Sequence, residues 1–357
     1  MAVEQLAGTM PVAPRQRFDE AALERYLQAH LEGFRSPLSV EQFRGGQSNP
    51  TFLLTAAQGA QYVLRKKPGG PLLPSAHAIE REFRVISALH GSAVPVARPL
   101  LLCEDESVVG TPFYLMSYAA GRNFWDPALP ALTPAERTAI YDEMNRVIVA
   151  LHTLDFAAHG LTDFGRPGNY FARQIARWSR QYRASETERI EAMEKLINWL
   201  PANIPPGEET ALVHGDYRLD NLIFDRHEPR VLAVVDWELS TLGHPLADFS
   251  YHAMQWRLPA SETRGLAGID LPSLGIPTEG DYIAAYCRRS GRRGIEPHVW
   301  EFCIAYNLFR IASILQGIAK RVLEGTAASR HARESAAQAR PTAELAWRQV
   351  EQHLGGG

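Results

Sequence analysis

VHGDYRLDN at residues 213–221, followed by the apolar run VLAVV at 231–235 and then Asp236, is the stretch that decides the fold. The carboxylate of Asp216 comes five positions before the amide of Asn221, and Asp236 ends a predicted strand. A carboxylate that can take a proton, together with further oxygen ligands for a divalent cation, is the equipment of phosphoryl transfer. The stretch therefore predicts a phosphoryl-transfer centre.

The spacing predicts a role for each of these residues. It follows the catalytic-loop pattern H-x-D-x-x-x-x-N of kinases, with a metal-binding aspartate later in the chain. Asp216 is the predicted base, since an ionised carboxylate can orient the acceptor hydroxyl and accept its proton. Asn221 and Asp236 are predicted to bind Mg²⁺ through hard oxygen atoms. We predict supporting roles for His214, within the loop, and for Asp248, which would hold the loop backbone from a neighbouring helix.

Three charged residues near this loop have open roles. Glu238 comes two positions after Asp236, so it would either touch the metal through water or face the acceptor. Arg218 and Asp220 are ambiguous. A surface turn is the favoured interpretation for Asp220.

A glycine-containing segment, RGGQSN at residues 44–49, lies between two predicted strands at 40–43 and 51–55. Two glycines and small polar residues between strands can curl so that backbone N–H groups point at a phosphate. A glycine pair in a hairpin is more often only a turn, so both interpretations stay open. The candidate nucleotide-binding residues here are Gly45, Gly46, Gln47, Ser48 and Asn49.

The next strand, YVLRKK at residues 62–67, carries the predicted cation. Strand alternation places Val63, Arg65 and Lys67 on one face. In a kinase-type lobe this strand supplies a cation to the phosphates, and the apolar residue two positions earlier lies against the base. Arg65 and Val63 fit those places, with arginine standing where lysine is usual. Lys66 or Lys67 is the alternative phosphate contact, and a solvated basic strand end is the alternative to the whole assignment.

A helix is predicted at residues 78–89 because apolar residues recur there at helical spacing. Glu82 on this helix is predicted to turn inward and pair with Arg65, as the corresponding kinase glutamate pairs with its lysine. Glu80 is the competing partner.

A strand is predicted at the end of residues 110–118, before the small-residue segment AAGR at 119–122. An apolar strand followed by such a break is typical of a hinge between lobes. Backbone groups of Met116 and Ser117 would then hold the edge of an adenine. An ordinary buried strand is the alternative interpretation.

The two parts of the chain differ in predicted secondary structure. Strands dominate up to about residue 118, and amphipathic helices dominate the remainder, including helices predicted at 134–152 and 297–323. This order predicts an α+β, bilobal protein kinase-like fold. The predicted domains are a leader and helix at 1–37, a nucleotide-binding N-lobe at 38–118, and a C-lobe with the catalytic loop and acceptor-binding helices at 119–357.

Composition narrows the class of protein. The chain has 357 residues with 45% hydrophobic and 22% charged residues, as in soluble globular proteins. A formal charge of −3 gives no general attraction to nucleic acid or to an anionic membrane, and no transmembrane helix is expected. The 3 cysteines form no C-x-x-C pair, and the first 17 residues lack a secretory pattern, so we expect a cytoplasmic protein. We expect either a monomer or a homodimer.

Several motifs in the right order resemble the aminoglycoside phosphotransferase (choline kinase-like) superfamily. The resemblance covers about residues 38–325 and is carried by HGDYRLDN at 214–221, VVDWE at 234–238, LGHPLAD at 242–248, GGQSN at 45–49, YVLR at 62–65 and REFRV at 81–85. It implies ATP- and Mg²⁺-dependent phosphorylation of a hydroxyl group. Arg65 departs from the family lysine.

A narrower resemblance points to one branch of that superfamily. YVLRKKP at 62–68, and QGIA at 316–319 together with Arg321, are similar to the branch found fused to acyl-CoA dehydrogenases. This resemblance implies a hydroxyacyl-CoA as a suggested phosphate acceptor.

Two other functions compete with a kinase for a small hydroxylated metabolite. An aminoglycoside or an amino alcohol such as choline or homoserine would want an acidic pocket, yet the carboxylates beyond Asp248 are scattered. The run RRSGRR at 288–293 would suit an anionic acceptor, or it is a solvated helix end. A nucleotide-binding pseudokinase is the third possibility, and the intact set of Asp216, Asn221 and Asp236 argues against it. The choice between ATP and GTP stays open.

Overall fold

The computed structural model of the protein describes residues 8–44, 49–69, 78–260, 265–326 and 332–355. Gly45, Gly46, Gln47 and Ser48 of the predicted phosphate loop lie outside these residues. The chain divides into two compact units. Unit 1 comprises Met1–Leu129, Asp155–Phe164 and Arg218–Ser240, and unit 2 comprises Pro130–Leu154, Gly165–Tyr217 and Thr241–Gly357.

Within the described residues, unit 1 is built on an antiparallel sheet of 6 strands in the order β1-β2-β3-β4-β6-β5. Strand β4 pairs with β3 and β6, so Arg65 lies opposite Thr51 on one side and Tyr114 on the other. This register fixes the predicted cation in the interior of the sheet. The strands are β1 (Thr9–Met10), β2 (Ser39–Phe43), β3 (Thr51–Thr55), β4 (Gln61–Lys66), β5 (Pro99–Cys103) and β6 (Phe113–Ser117).

An apolar core covers one face of this sheet. Strand alternation turns Phe52 and Leu54 of β3 and Leu64 of β4 to the same side, where all three are 0% exposed. They belong to one cluster with Leu23 and Leu27 of the helix α1 (Glu20–His30). Each such side chain contributes about 1.5–3 kcal/mol on full burial. The core therefore holds β4, and Arg65 with it, in one position.

Helix α2 (Ile79–Leu89) carries a carboxylate on its buried face. Ile79, Val85, Ile86 and Leu89 form the expected apolar stripe, but Glu82 on the same helix is also buried. A buried carboxylate needs partners that stabilise it. The short helix α3 (Glu106–Val109) follows β5.

A hairpin of β8 (Leu222–Phe224) and β9 (Val231–Val234) also belongs to unit 1. Phe224 exchanges backbone hydrogen bonds of 2.7 and 2.8 Å with Arg122, and Val234 N–H donates to the carbonyl of Pro95 at 2.9 Å. These bonds group residues 218–240 with the strand-rich part, whereas the predicted domains place them in the C-lobe. The predicted boundaries otherwise stay a prediction.

Unit 2 is mostly helical and contains a small antiparallel pair of strands. In this pair β7 (Ala211–Val213) lies against β10 (Thr241–Gly243), with Leu212 opposite Leu242. The loop with Asp216 follows β7, and the helix with Asp248 follows β10. The helices are α4 (Pro134–His152), α5 (Tyr170–Ser185), α6 (Glu191–Ala202), α7 (Pro245–Ala253), α8 (Leu271–Leu274), α9 (Glu279–Ser290), α10 (Pro297–Leu323), α11 (Ala332–Ala337) and α12 (Ala339–Gly355).

Helix α10 is long and apolar enough to span a membrane by length and composition alone. However, 72% of its most apolar 18-residue window is buried inside the protein. It packs against α5, α7 and α12, as a core helix does.

Most predicted elements are present, and the longest are the most accurate. The predicted helices at 134–152 and 297–323 have the bounds observed for α4 and α10. The sequence did not indicate β1, β7, β10, α3 or α8, because elements of two to four residues are too short for a periodic pattern.

Candidate active site

Arg65 is the centre of a buried charge cluster in unit 1. Its Nε lies 2.8 Å from Oε2 of Glu82, and its Nη2 lies 2.5 Å from Oδ1 of Asp236. Glu238 is more distant, with Oε2 3.9 Å from Nη2. Because Arg65 is only 7% exposed, the alternative of a solvated strand end is wrong for this residue.

Glu82 is the carboxylate that α2 supplies to this cluster. It accepts hydrogen bonds from Asn49 Nδ2 at 2.7 Å and from the hydroxyl of Tyr114 at 3.0 Å. Burial raises the pKa of Glu82 to about 7, the attraction of Arg65 opposes this, and the negative charge of Asp236 adds to it. For Arg65, burial alone would lower the pKa, but the surrounding carboxylates raise it above its ordinary value.

The competing pair is also present, at the edge of the cluster. Lys67 Nζ forms an ion pair with Glu80, and their side chains are 24% and 34% exposed. The structure therefore confirms that Glu82 pairs with Arg65, and it assigns Glu80 to Lys67. Exposed pairs of this kind contribute little to stability.

Asp236 has an unusual backbone conformation. It directly follows β9 and has φ 67° and ψ 59°, a left-handed region that few residues other than glycine adopt. The indole Nε1 of Trp237 donates to the carbonyl of Val234 at 2.9 Å and fixes the turn. The side chain of Asp236 is 34% exposed, so it contacts Arg65 and is also accessible from outside. Such strained positions are often functional.

Asn221 and Asp236 are the predicted ligands of Mg²⁺, and both carry hard oxygen atoms. The carbonyl of Asn221 accepts the N–H of Val235 at 3.0 Å, which ties the start of β8 to the residue before Asp236. Among the described residues, no group of three or more His, Cys, Asp or Glu side chains could hold a metal by itself. Mg²⁺ usually takes one or two protein oxygens and completes its shell with phosphates and water. The residues present fit that mode of binding.

Asp216 lies in unit 2, in the loop after β7. Its Oδ1 accepts a hydrogen bond of 2.5 Å from the hydroxyl of Tyr251, which is 6% exposed on α7. Its backbone N–H donates to Nδ1 of His214 at 3.2 Å. One carboxylate oxygen and the backbone of Asp216 are therefore fixed before any substrate is bound.

Asp248 holds the backbone of the same loop. Its Oδ2 accepts the N–H of His214 at 2.8 Å, and its Oδ1 accepts the N–H of Gly215 at 2.8 Å. His152 Nε2 lies 3.2 Å from Oδ2. Burial pushes the pKa of Asp248 up, but His152, His214 and the backbone N–H groups outweigh this and hold it below its ordinary value. This is the contact that the sequence predicts for Asp248.

Gly215 is held from its other side by Arg310 of α10. Arg310 Nη2 donates to the carbonyl of Gly215 at 2.7 Å. Its guanidinium lies 4.8 Å from the ring centre of Tyr251 and 5.6 Å from that of Trp178. Gly215, between His214 and Asp216, has φ 83°, a backbone conformation that favours glycine.

The other predicted nucleotide contacts are placed by the sheet of unit 1. Val63 on β4 lies opposite Met116 on β6. Ser117 ends β6, and its hydroxyl accepts the N–H of Arg98 at 2.9 Å. Burial lowers the pKa of Lys66, which is 6% exposed. Contacts of Val63, Met116, Ser117 and Lys66 with a nucleotide stay a prediction.

Arg218 and Asp220 form an ion pair with each other. Arg218 Nε donates to Asp220 Oδ1 at 2.6 Å, and the side chain of Asp220 is only 9% exposed. The interpretation of Asp220 as a surface turn residue was therefore wrong.

Sequence reasoning missed Tyr251, Arg310 and His152. Tyr251 follows Asp248 by three positions, which places both on one face of α7, so helical spacing could have indicated it. Arg310 is a lone charge in the apolar run FRIASIL at 309–315, a pattern typical of a buried functional cation. His152 ends α4 and gives no comparable signal.

Comparison with known proteins identifies the family of this chain. The sequence model of the phosphotransferase enzyme family matches residues 39–297. Acyl-CoA dehydrogenase family member 10 of Mus musculus is 49% identical over 343 residues, covering 95% of this chain and 32% of that protein. Acyl-CoA dehydrogenase family member 11 of Mus musculus is 43% identical over 352 residues, covering 96% of this chain and 45% of that protein. The chain thus spans less than half the length of these curated relatives.

Solved structures share the fold. A crystal structure from Ralstonia eutropha JMP134, provisionally called an aminoglycoside phosphotransferase, is 55% identical with a TM-score of 0.87, covering 94% of this chain and 99% of that one. Choline kinase from Cryptosporidium parvum Iowa II, at 13% identity and TM-score 0.65, covers 95% and 97%. The GDP complex of aminoglycoside 2'-phosphotransferase-IIIa, at 12% identity and TM-score 0.61, covers 93% and 99%. The last two show the fold alone, and that fold is the predicted α+β kinase-like one.

Proposed function

This chain belongs to the phosphotransferase enzyme family as a small-molecule phosphotransferase, and from that premise we propose that it moves the γ-phosphate of ATP to a hydroxyl group with the help of Mg²⁺. The observation that carries the proposal is the contact between Arg65 and Asp236, with Arg65 Nη2 2.5 Å from Asp236 Oδ1. These residues lie 171 positions apart in the sequence, yet they join a phosphate-binding cation to a magnesium ligand. Glu82 holds the same cation from its other side.

Each residue has a task in the proposed reaction. Arg65 neutralises phosphate charge, and Asn221 and Asp236 hold Mg²⁺, which would supply further neutralisation when it is bound. Asp216 accepts a hydrogen bond from the acceptor hydroxyl and takes its proton as the oxygen bonds to the γ-phosphorus. The bond between that phosphorus and the bridging oxygen breaks, and ADP leaves with the electron pair. The hydrogen bond from Tyr251 keeps Asp216 in one orientation.

The nucleotide is proposed to be ATP, with GTP as the alternative. A neighbour of the same fold is described in complex with GDP, which supports nucleotide use in general. Val63, Met116 and Ser117 are the proposed contacts of the base, and Asn49 is the described member of the proposed phosphate loop. We infer a cytoplasmic setting, since all three cysteines are free and buried.

The acceptor is proposed to be a small anionic metabolite, with a hydroxyacyl-CoA first among the candidates. The relatives named as acyl-CoA dehydrogenases support an acceptor related to acyl-CoA. The basic residues Arg289 and Arg292, which suggested an anionic acceptor, are paired with Asp142 and Glu209 instead. Those two arginines therefore give the proposal no support.

A screen of ADP formation tests the proposal. The purified chain is supplied with Mg²⁺ and either ATP or GTP, with GDP measured in place of ADP when GTP is used. The acceptors are hydroxyacyl-CoAs, aminoglycosides, choline or homoserine. We expect ADP formation that needs both Mg²⁺ and a hydroxylated anionic acceptor. The Asp216→Asn variant, prepared in the same way, controls for contaminating kinases. Activity on an aminoglycoside alone would overturn the proposed acceptor class, and no activity on any acceptor would overturn the proposed function.

A further inference from the structure

Arg310 and Trp178 bring two unsatisfied hydrogen-bond donors together inside unit 2. Arg310 is 7% exposed and Trp178 is 8% exposed. Among the residues that the structure describes, Arg310 Nε and Trp178 Nε1 have no hydrogen-bond acceptor. The guanidinium of Arg310 lies 5.6 Å from the ring centre of Trp178, so the two side chains are neighbours. Buried donors are normally satisfied by protein, water or ligand, so this pair marks a place prepared for an acceptor atom.

The charge of Arg310 defines which kind of atom fits. Within the described part of the chain, its hydrogen bond goes to the backbone carbonyl of Gly215 at 2.7 Å, a neutral group. Burial disfavours the charged form of Arg310, whereas Tyr306, Tyr251, Tyr170 and the carboxylate of Asp216 raise its pKa. The charge is therefore partly balanced inside unit 2, while Nε is left without an acceptor. An oxyanion would satisfy both the charge and the free N–H groups, since guanidinium binds carboxylate and phosphate oxygens well.

The place adjoins the predicted base. Gly215, which Arg310 holds, directly precedes Asp216. Arg310 also stacks on Tyr251, with its guanidinium 4.8 Å from the ring centre, and the hydroxyl of Tyr251 donates to Asp216. If an anionic group of a molecule binds at Arg310 and Trp178, the neighbouring groups of that molecule would therefore lie close to Asp216.

We propose that Arg310 and Trp178 form the subsite that receives an oxyanion of the phosphate acceptor, close to the hydroxyl that Asp216 activates. This inference rests on the proposed function and specifies its substrate class. The oxyanion is a carboxylate on the carbon chain of the acceptor or a phosphate of an attached coenzyme A. A positively charged acceptor is repelled from the same place by Arg310.

The test compares acceptors that differ in charge. The probes are 3-hydroxybutyrate, 3-hydroxybutyryl-CoA, butane-1,3-diol and choline. Binding is measured by calorimetry with a non-hydrolysable ATP analogue and Mg²⁺ present, and turnover is measured separately. We expect one of the two anionic probes to bind at least about tenfold more tightly than the diol or choline, and which one it is identifies the source of the oxyanion.

Trp178→Phe is the main variant, because it keeps an aromatic ring beside Arg310 and removes the N–H together with part of the indole. We expect it to raise the dissociation constant and the KM of the anionic acceptor about tenfold, with the KM for ATP unchanged. The melting temperature should fall, because part of a buried ring is lost, and that fall alone would not change acceptor binding. Arg310→Gln should abolish the preference for the anionic probe over the diol. Trp347→Phe in α12 is the matched control and should leave all these values unchanged.

The outcomes separate this inference from the proposed function. Equal binding of anionic and neutral probes, or unchanged acceptor binding in Trp178→Phe, overturns the subsite even if phosphate transfer is observed. Binding of an anion that depends on Trp178 and Arg310, without phosphate transfer to any acceptor, supports the subsite and overturns the proposed function.

Discussion

Glu82 in unit 1 and Asp248 in unit 2 are both buried carboxylates, but their surroundings differ. Glu82 shares Arg65 with Asp236 and Glu238, and burial raises the pKa of Glu82 to about 7. Asp248 receives hydrogen bonds from backbone N–H groups and contacts His152, and these hold its pKa below the ordinary value. The same chemical group is thus destabilised as an anion in one unit and stabilised in the other.

The difference between the two carboxylates indicates which part of the candidate site needs a ligand to balance its charge. Around Arg65, three carboxylates face one cation, so we infer that a divalent cation would stabilise the cluster. Around Asp248, the hydrogen bonds are already complete and the loop backbone is held on both sides. The proposed base is therefore positioned in advance, which lowers the cost of reaching the transition state.

Asp216→Asn gives the largest expected effect. It removes the proton acceptor while the loop backbone stays bound to Asp248, so turnover should fall by about 10³-fold or more. Nucleotide affinity, which we propose to depend on residues of unit 1, should stay within about twofold in a calorimetric titration. If turnover survives, Asp216 is not the base.

Asp236→Ala tests the need of the unit 1 cluster for a cation. Mg²⁺-dependent nucleotide affinity should fall by about 100-fold, since one of the proposed protein ligands is lost. Affinity measured in EDTA should not fall, because it does not use that ligand. Unchanged affinity with Mg²⁺ would remove Asp236 from the metal site.

His252 tests how strongly burial acts in unit 2. Burial lowers its pKa to about 3, and its Nε2 contacts the hydroxyl of Tyr282 at 2.9 Å. The unfolded chain binds a proton near pH 6.5 and the folded protein does not, so stability falls as the pH drops from about 6.5 to about 3. Between pH 7 and pH 5 the loss from this residue is about 2 kcal/mol.

His252→Phe should therefore flatten the pH dependence of stability. The measurement is urea unfolding at pH 7 and pH 5 for both proteins. The variant starts from a lower stability, because the contact with Tyr282 is lost, but it should lose about 2 kcal/mol less than the natural protein between these pH values. Equal losses in both proteins would show that His252 is protonated in the folded state.

Tyr251→Phe asks whether the base is really held in advance. The variant removes the hydrogen bond to Asp216 Oδ1 and keeps the ring that packs on Arg310. We expect kcat to fall about tenfold with the KM for ATP unchanged, since a bond to a charged group is lost. A loss seen only in the melting temperature would make Tyr251 a structural residue.

Glu80→Gln has the smallest expected effect. Its pair with Lys67 is partly exposed, so stability should change by less than about 1 kcal/mol and activity should not change. Glu82→Gln on the same helix is the contrasting variant, and it should weaken nucleotide binding through Arg65. Equal effects of the two variants on nucleotide binding would contradict the difference proposed between the buried pair of Glu82 with Arg65 and the partly exposed pair of Glu80 with Lys67.

The catalytic loop illustrates what the sequence reveals and what it does not. The contact of Asp248 with the loop backbone was predictable from local spacing, whereas the roles of Asp216, Asn221 and Asp236 stay predictions. Long helices such as α10 were predictable for the same reason. Strands β7 and β10 were not, since three residues carry no period and their pairing joins distant segments.

The neighbours of Asp216 were hidden for a different reason. Tyr251 and Arg310 reach the loop through the packing of α7 and α10. Helical spacing from Asp248 could have indicated Tyr251, and the apolar run around Arg310 could have indicated a buried cation, but the sequence does not encode which loop atoms the two side chains contact. Asp220 was misread because its partner Arg218 buries it in a segment that resembles a turn.

Transfer of a labelled γ-phosphate tests the central claim most directly. The purified chain is incubated with Mg²⁺, ATP labelled at the γ-phosphate, and the acceptor panel, and the products are separated. We predict label in a phosphate ester of a hydroxylated acceptor, present with the natural protein and absent with Asp216→Asn. Label found only in ATP and inorganic phosphate, with every acceptor, would contradict the account.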